Sequence, residues 1–247
     1  MKLVVEGLSK SYQRDGTRVP VLEGLSFEVN QGEFVSIVGP SGCGKSTLLR
    51  CIARLEGADE GLVSYQGNGD SRRPLCSVVF QELALFPWRS ALKNITFGLE
   101  ELRIPKRERE RIGREYLEMM RLGGFESFRP KELSGGMKQR VAIARAMAVE
   151  PYLLLMDEPM ASLDAITAQR LQLDLMEIIS QKGQSVLYVT HNIPEAVFLS
   201  DRVIVMTERP GRIKEEVRIT ESRPRDLAFK LSSKFVGYLE RLWKLLS

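Results

Sequence analysis

Nine residues, GPSGCGKST at 39 to 47, have the types and spacing needed to hold a polyphosphate. Gly39, Gly44, Lys45 and Ser46 fit G-x-x-x-x-G-K-[ST], a loop whose glycines let backbone N–H groups close around phosphate oxygens while the lysine neutralises them. Pro40, Ser41, Gly42 and Cys43 complete the turn, and Thr47 follows the serine. A second chemical group ends the apolar run YLLLMDE, 152 to 158. Asp157 is placed to hold Mg²⁺ together with the Ser46 hydroxyl, the metal bridging phosphate oxygens. Neighbouring strand side chains point to opposite faces, so Glu158 has a separate task and is the candidate general base that polarises water.

These groups need elements that present them together. EFVSIVG (33 to 39) reads as a buried strand, and STLLRCIARLEG (46 to 57) as a helix ending in glycine, so the phosphate loop opens a helix whose dipole faces the anion. The first 30 residues alternate apolar and polar positions around an Asp15-Gly16 turn and read as antiparallel strands. A further strand-rich piece, 61 to 81, carries a tight loop at Gly67, Asn68, Gly69 and Asp70. Residues 90 to 149 are rich in Leu, Met, Glu and Arg and read as helical, and strands alternate with helices again from Pro151. The expected core is α/β with a parallel sheet and right-handed crossovers.

With 247 residues, 43% of them hydrophobic, the chain can bury a substantial core. Its longest stretch free of charged residues, 183 to 194, is too short and polar for the roughly 20 apolar residues of a membrane span. Glu6 interrupts any apolar leader, so a cytoplasmic location is expected. Cys43, Cys51 and Cys76 form no C-x-x-C pair and there is one histidine, which predicts reduced thiols and no zinc. Cys43, near a helix N-terminus, is expected to favour its thiolate. The net charge of +4 is matched by residues 208 to 247, where ten Lys/Arg face six Asp/Glu, and the near-neutral remainder speaks against a nucleic-acid face.

The octapeptide LSGGMKQR, 133 to 140, adds a second phosphate-directed element. Ser134 can cap a helix starting around Gly136, leaving N–H groups at its positive end. In a plain helix start each glycine would only cost about 1 kcal/mol.

With these motifs in order from Tyr12 to His191, the chain resembles an ATP-binding cassette (ABC) protein. The resemblance implies a fold with a P-loop ATPase core and parallel sheet, a small antiparallel β subdomain and a helical subdomain inserted over about 82–150. The nucleotide-binding domain would span 1–215, followed by a basic amphipathic extension, 216–247. It implies ATP and Mg²⁺ as cofactors, bound by Tyr12 on adenine, the 39–47 loop, and Gln81 as a metal or water contact. His191 would contact the γ-phosphate and act with Glu158 and Lys45 in hydrolysis. Packing or ordinary hydrogen bonding remains the other reading of Tyr12, Gln81 and His191. Ser134, Gly135, Gly136 and Asp164 would serve the ATP of a second cassette in a head-to-tail homodimer. Ser162 and Lys138 depart from the residues more usual in the family without removing an essential group.

Leu85, Phe86, Pro87 and Trp88 follow Gln81 and would receive an integral membrane permease, or else pack within the helical lobe. That segment and 191 to 213 are similar to the importer branch that handles nitrate, sulfonates and taurine. The resemblance thus implies a peripheral subunit on the cytoplasmic face of the membrane, linked indirectly to an extracytoplasmic solute-binding protein, with no nucleic-acid partner. A soluble cassette acting on nucleic acid or in assembly is the alternative. In the extension, Phe235, Leu239, Leu242, Trp243 and Leu246 have mostly helical spacing, suited to packing on the chain's own core or to contact with the permease or anionic lipid.

If Glu158 is the general base, Glu158→Gln lowers hydrolysis by about 10² to 10⁴, roughly 3 to 5 kcal/mol, with ATP affinity retained. Steady-state hydrolysis near the wild-type rate excludes the role.

Overall fold

The computed structural model describes residues 1–70 and 73–247 and opens with a long antiparallel hairpin, β1 (Lys2–Arg14) and β2 (Thr17–Val29). Its turn residues, Asp15 and Gly16, both take positive φ, 50° and 76°, as a two-residue hairpin turn of matching twist requires. β3 (Phe34–Val38) leads through the phosphate loop into α1 (Lys45–Ile52), and β4 (Glu60–Gln66) returns to pair with β1. The small sheet therefore has the order β2-β1-β4 and is wholly antiparallel. Ser71 and Arg72, inside the piece read as strand-rich, lie outside the described residues.

β5 (Cys76–Val79) starts the edge of the large sheet, and α2 (Ala91–Ile95), α3 (Phe97–Glu101), α4 (Lys106–Met119) and α5 (Gly135–Ala148) intervene before β6 (Leu153–Asp157). The chain continues through α6 (Ala165–Lys182), β7 (Ser185–Val189), α7 (Ile193–Leu199), β8 (Arg202–Met206), β9 (Ile213–Arg218), α8 (Leu227–Lys230) and α9 (Ser233–Leu246). The large sheet runs β5-β6-β7-β3-β8-β9. Its first five strands are parallel; β9 departs from the expected pattern by pairing antiparallel with β8 across a short turn.

Both faces of the large sheet are covered, which is why its strands read as continuous apolar runs rather than alternating ones. All five residues of β3 are buried. Phe34 and Val38 pack with the layer that contains α5, α6 and α7, while Val35 and Ile37 pack with α1 and the small sheet. β6 divides in the same way, Leu154 and Met156 against Leu153 and Leu155. The carboxyl ends of β3 and β6 thus emerge side by side, separated only by β7.

The C-terminal helix joins the same core. Phe235 and Leu242 of α9 are buried and Leu239 and Leu246 are half-buried against it, but Trp243 is 61% exposed. One residue on from Leu242 turns about 100° around the helix, so the two cannot share a face. Upstream, buried Arg225 donates to the carbonyls of Val197 (3.2 Å), Phe198 (2.9 Å) and Ser200 (2.8 Å), satisfying the end of α7. Burial pushes the Arg225 guanidinium down to about 10. Among the described residues no helix is long and apolar enough to cross a membrane.

A buried acid ties β7 to α7. Glu195 Oε2 accepts from the Tyr188 hydroxyl (2.9 Å) and from Thr190 Oγ1 (3.1 Å). Burial raises its pKa above the ordinary 4.5, against the lowering effect of those two hydroxyls. The folded state then binds this proton more tightly than the unfolded chain, so Glu195 costs stability as pH rises from 4.5 through the folded value. Glu195→Gln keeps an acceptor oxygen without a charge. Denaturant midpoints should show the variant ahead of wild type at pH 8, with the gap closing as pH is lowered toward 4.5. Parallel curves would contradict the burial argument.

Candidate nucleotide site

The phosphate loop folds as it does because two of its positions take a left-handed backbone that favours glycine. Gly42 has φ +78° and Gly44 φ +107°, and a Cβ on Gly44 would stand 2.6 Å from Leu22 Cδ2 of β2. Lys45 then begins α1 with its side chain turned back over the loop. Its ammonium donates to Gly39 O (2.8 Å) and Pro40 O (3.0 Å), and Lys45 is only 6% exposed. Among the described residues it has no carboxylate partner.

The ammonium faces a cleft of about 550 Å³ lined by Tyr12, Val21, Ser41, Gly42, Gly44, Lys45, Ser46, Thr47, Gln81, Glu158 and Arg209. Tyr12 forms one wall. Its hydroxyl donates to Glu56 and lies 3.4 Å from Thr47 Oγ1, a tether that fixes the ring; burial and Glu56 raise its pKa. At the other end Ser46 Oγ donates to Asp157 Oδ1 (3.1 Å), linking α1 to the end of β6. Burial raises the Asp157 carboxyl above its ordinary range, opposed by the Ser46 hydrogen bond and reinforced by Glu158.

These oxygens suit a hard divalent cation. No cluster of three or more His, Cys, Asp or Glu occurs among the described residues, so a metal here would draw on the Ser46 hydroxyl, the Asp157 carboxylate and the Gln81 amide in the same cleft, with its remaining ligands from phosphate and water, as Mg²⁺ prefers. Glu158 turns away from Asp157 through a positive φ of +46°, an uncommon conformation for a non-glycine residue, held by its N–H to Val189 O (2.9 Å). Its Oε2 lies 3.0 Å from Nδ1 of His191, which is 59% exposed in its side chain. Glu158, His191, Asp157, Ser46 and Lys45 thus gather at the carboxyl ends of β3, β6 and β7.

The LSGGMKQR residues stand elsewhere. Ser134 is the N-cap of α5 and accepts from Met137 N–H (3.3 Å). As the first two helical residues, Gly135 and Gly136 present N–H groups that have no acceptor within the helix. A Cβ on Gly135 would meet nothing within 4 Å, whereas one on Gly136 would stand 2.7 Å from Thr167 Cγ2. None of the three lines the cleft. Asp164 is exposed and caps α6, accepting from Ile166 N–H (3.1 Å) and Thr167 N–H (3.0 Å).

A family model described as ABC transporter matches residues 22–161. The chain belongs to the ABC transporter family. It is 48% identical to an uncharacterized ABC transporter ATP-binding protein of Methanocaldococcus jannaschii, covering 100% of this chain and 91% of that protein. It is 42% identical to the aliphatic sulfonates import ATP-binding protein SsuB of Bacillus cereus, over 91% of this chain and 89% of that protein. Among solved structures, the dimeric bacterial ABC transporter cassette MJ0796 superimposes with a TM-score of 0.78 at 32% identity, covering 89% of this chain and 100% of the other. The chain is accordingly an ATP-binding ABC ATPase.

One expectation about this cassette needs correction. Cys43 is 1% exposed, and burial raises its thiol pKa despite the Lys45 ammonium 3.9 Å away, so its thiolate is disfavoured. Desolvation outweighs the helix terminus here. The apolar loop after Gln81 divides. Trp88 is 68% exposed and Pro87 is exposed, but Phe86 packs on Phe97 with ring centroids 4.6 Å apart, and Leu85 packs on the core.

The loop owes its shape to a residue that pattern reading passes over. Asn94, fully buried, accepts from Phe86 N–H (2.8 Å) and donates to the carbonyls of Phe86 (3.2 Å), Arg89 (3.1 Å) and Ser90 (3.1 Å). Arg209, in the cleft lining, was likewise not indicated by any motif.

Proposed function

We propose that the chain is the ATP-hydrolysing subunit of an importer for a small solute of the nitrate, sulfonate or taurine kind, working as a peripheral subunit on the cytoplasmic face of the membrane. The solute class is supported by the 42% identity with a protein named for aliphatic sulfonate import. The solute itself is chosen by the permease and, indirectly, by an extracytoplasmic binding protein. Pro87 and Trp88 are the exposed apolar groups on which the permease docks, and Phe86 and Leu85 support the loop from below.

ATP enters the cleft with its base at Tyr12 and its phosphates in the 39–47 loop. Lys45 neutralises the β- and γ-phosphates, and Ser46, Asp157 and Gln81 would hold Mg²⁺, which when bound would supply charge neutralisation for the phosphate oxygens. Glu158 takes the proton of the attacking water. His191, 3.0 Å away, orients that carboxylate and reaches the γ-phosphate.

The observation that carries the dimeric mechanism is the separation of two phosphate-directed groups in one chain. The loop and the acids share the cleft, while the Gly135 and Gly136 amides lie outside it with open space before Gly135. A two-fold pair brings Ser134, Gly135, Gly136 and Asp164 of each protomer to the ATP of its partner, as the dimeric state of the similar cassette MJ0796 supports.

Co-expression with an importer permease that it serves should move the chain into the membrane fraction, and solute-loaded binding protein should then raise ATP hydrolysis by about tenfold or more, the range of a few kcal/mol of coupling. Hydrolysis stimulated by nucleic acid, with no recruitment by the permease, would contradict the importer.

A further inference from the structure

The cleft contains a second cation that no motif accounts for. Arg209 belongs to the turn between β8 and β9, some 160 residues beyond the phosphate loop in sequence. That turn is fixed on two sides. Gly211 N–H donates to Val21 O (2.8 Å) and Gly211 O accepts from Glu23 N–H (3.1 Å), stitching the turn to β2. Against the phosphate loop, a Cβ on Gly211 would stand 2.2 Å from Cys43 O, a contact only glycine permits. Thr207 Oγ1 braces the turn by accepting from Arg212 N–H (3.0 Å).

The Arg209 side chain is oriented as well. Its Nε donates to Pro20 O (3.1 Å), and neither terminal nitrogen has a partner among the described residues. Pro20 adjoins Val21, which lines the cleft, and Val19 pairs in register with Tyr12. The guanidinium therefore sits at the Tyr12 end of the cleft, whereas Glu158 and Gln81 belong to the end where Ser46 meets Asp157. A planar cation with two free N–H₂ groups suits a purine or its ribose, by stacking or by hydrogen bonding.

We propose that Arg209 is a nucleoside-binding residue that closes the purine end of the cleft. The inference rests on the reading of the Tyr12–Lys45 cleft as the ATP site. Preorganisation by the Pro20 and Cys43 contacts limits the ordering cost of binding, so the guanidinium contributes to ground-state affinity and little to the chemical step.

The test compares Arg209→Ala, Arg209→Lys, Arg212→Ala and Lys45→Ala in the full-length chain, by ATP KM, kcat and the affinity for inorganic tripolyphosphate. Arg212 holds the same turn through Glu23 (2.7 Å) but does not line the cleft, so its variant reports loosening of the turn alone. Arg209→Ala should raise the KM for ATP about tenfold with kcat within about twofold, the scale of one charge-assisted contact. Arg209→Lys should recover part of the loss, and tripolyphosphate affinity should not change. An unchanged KM in Arg209→Ala overturns the proposal, as do an equal rise in Arg212→Ala and a matching loss of tripolyphosphate. Lys45→Ala should weaken both ligands; retained affinity for both would instead refute the cleft itself.

Discussion

A buried ammonium held by backbone carbonyls, with no carboxylate in salt-bridge contact among the described residues, organises this molecule. Lys45 is 6% exposed and is held by two backbone carbonyls, with no carboxylate paired to it. An isolated charge in a protein interior is costly, and carbonyl dipoles offset only part of that cost. A bound polyphosphate would supply the negative charge that these two carbonyl dipoles only partly provide. Gly44 in its left-handed conformation, Leu22 packed where a Cβ would lie, and Gly211 against the Cys43 carbonyl all keep the loop closed around that ammonium.

The sheet supplies the second half of the arrangement. Because β3 and β6 are parallel and both flank β7, the loop that follows one and the acids that end the other emerge at one edge. Ser46 and Asp157 meet there across 111 residues of sequence. Glu158 reaches its different position through a backbone conformation that costs about 1 kcal/mol or more, held by the hydrogen bond to Val189. The helices between β5 and β6 place the Gly135–Gly136 helix start outside the cleft, and the proposed two-chain site rests on that separation.

The sequence showed these parts unequally. The phosphate loop and the acid pair were legible because their chemistry fixes spacing within a few residues. The hairpin at Asp15-Gly16 and the cap at Ser134 were legible for the same reason, each being a local solution to a local need. Arg209 and Asn94 act through partners brought close by folding, and nothing in their immediate neighbours marks them. The antiparallel β9 follows from a short turn rather than from its own periodicity. The mostly helical spacing of Phe235, Leu239, Leu242, Trp243 and Leu246 suits core packing or an outside contact, and the helix divides them, Leu242 buried and Trp243 one step around in solvent. Cys43 was misjudged because a helix terminus favours a thiolate only where water can reach it.

In the proposed dimer each ATP is hydrolysed between the Lys45 loop of one protomer and the Ser134 loop of another. Mixing two inactive variants, Lys45→Ala and Ser134→Arg, measures this directly. The mixed dimer contains one site with an intact Lys45 opposite an intact Ser134, so ATP hydrolysis should reappear on mixing and rise with the fraction of mixed dimer. If both halves of a site belonged to the same chain, each variant would remain inactive at every mixing ratio, which would contradict a site shared between two protomers.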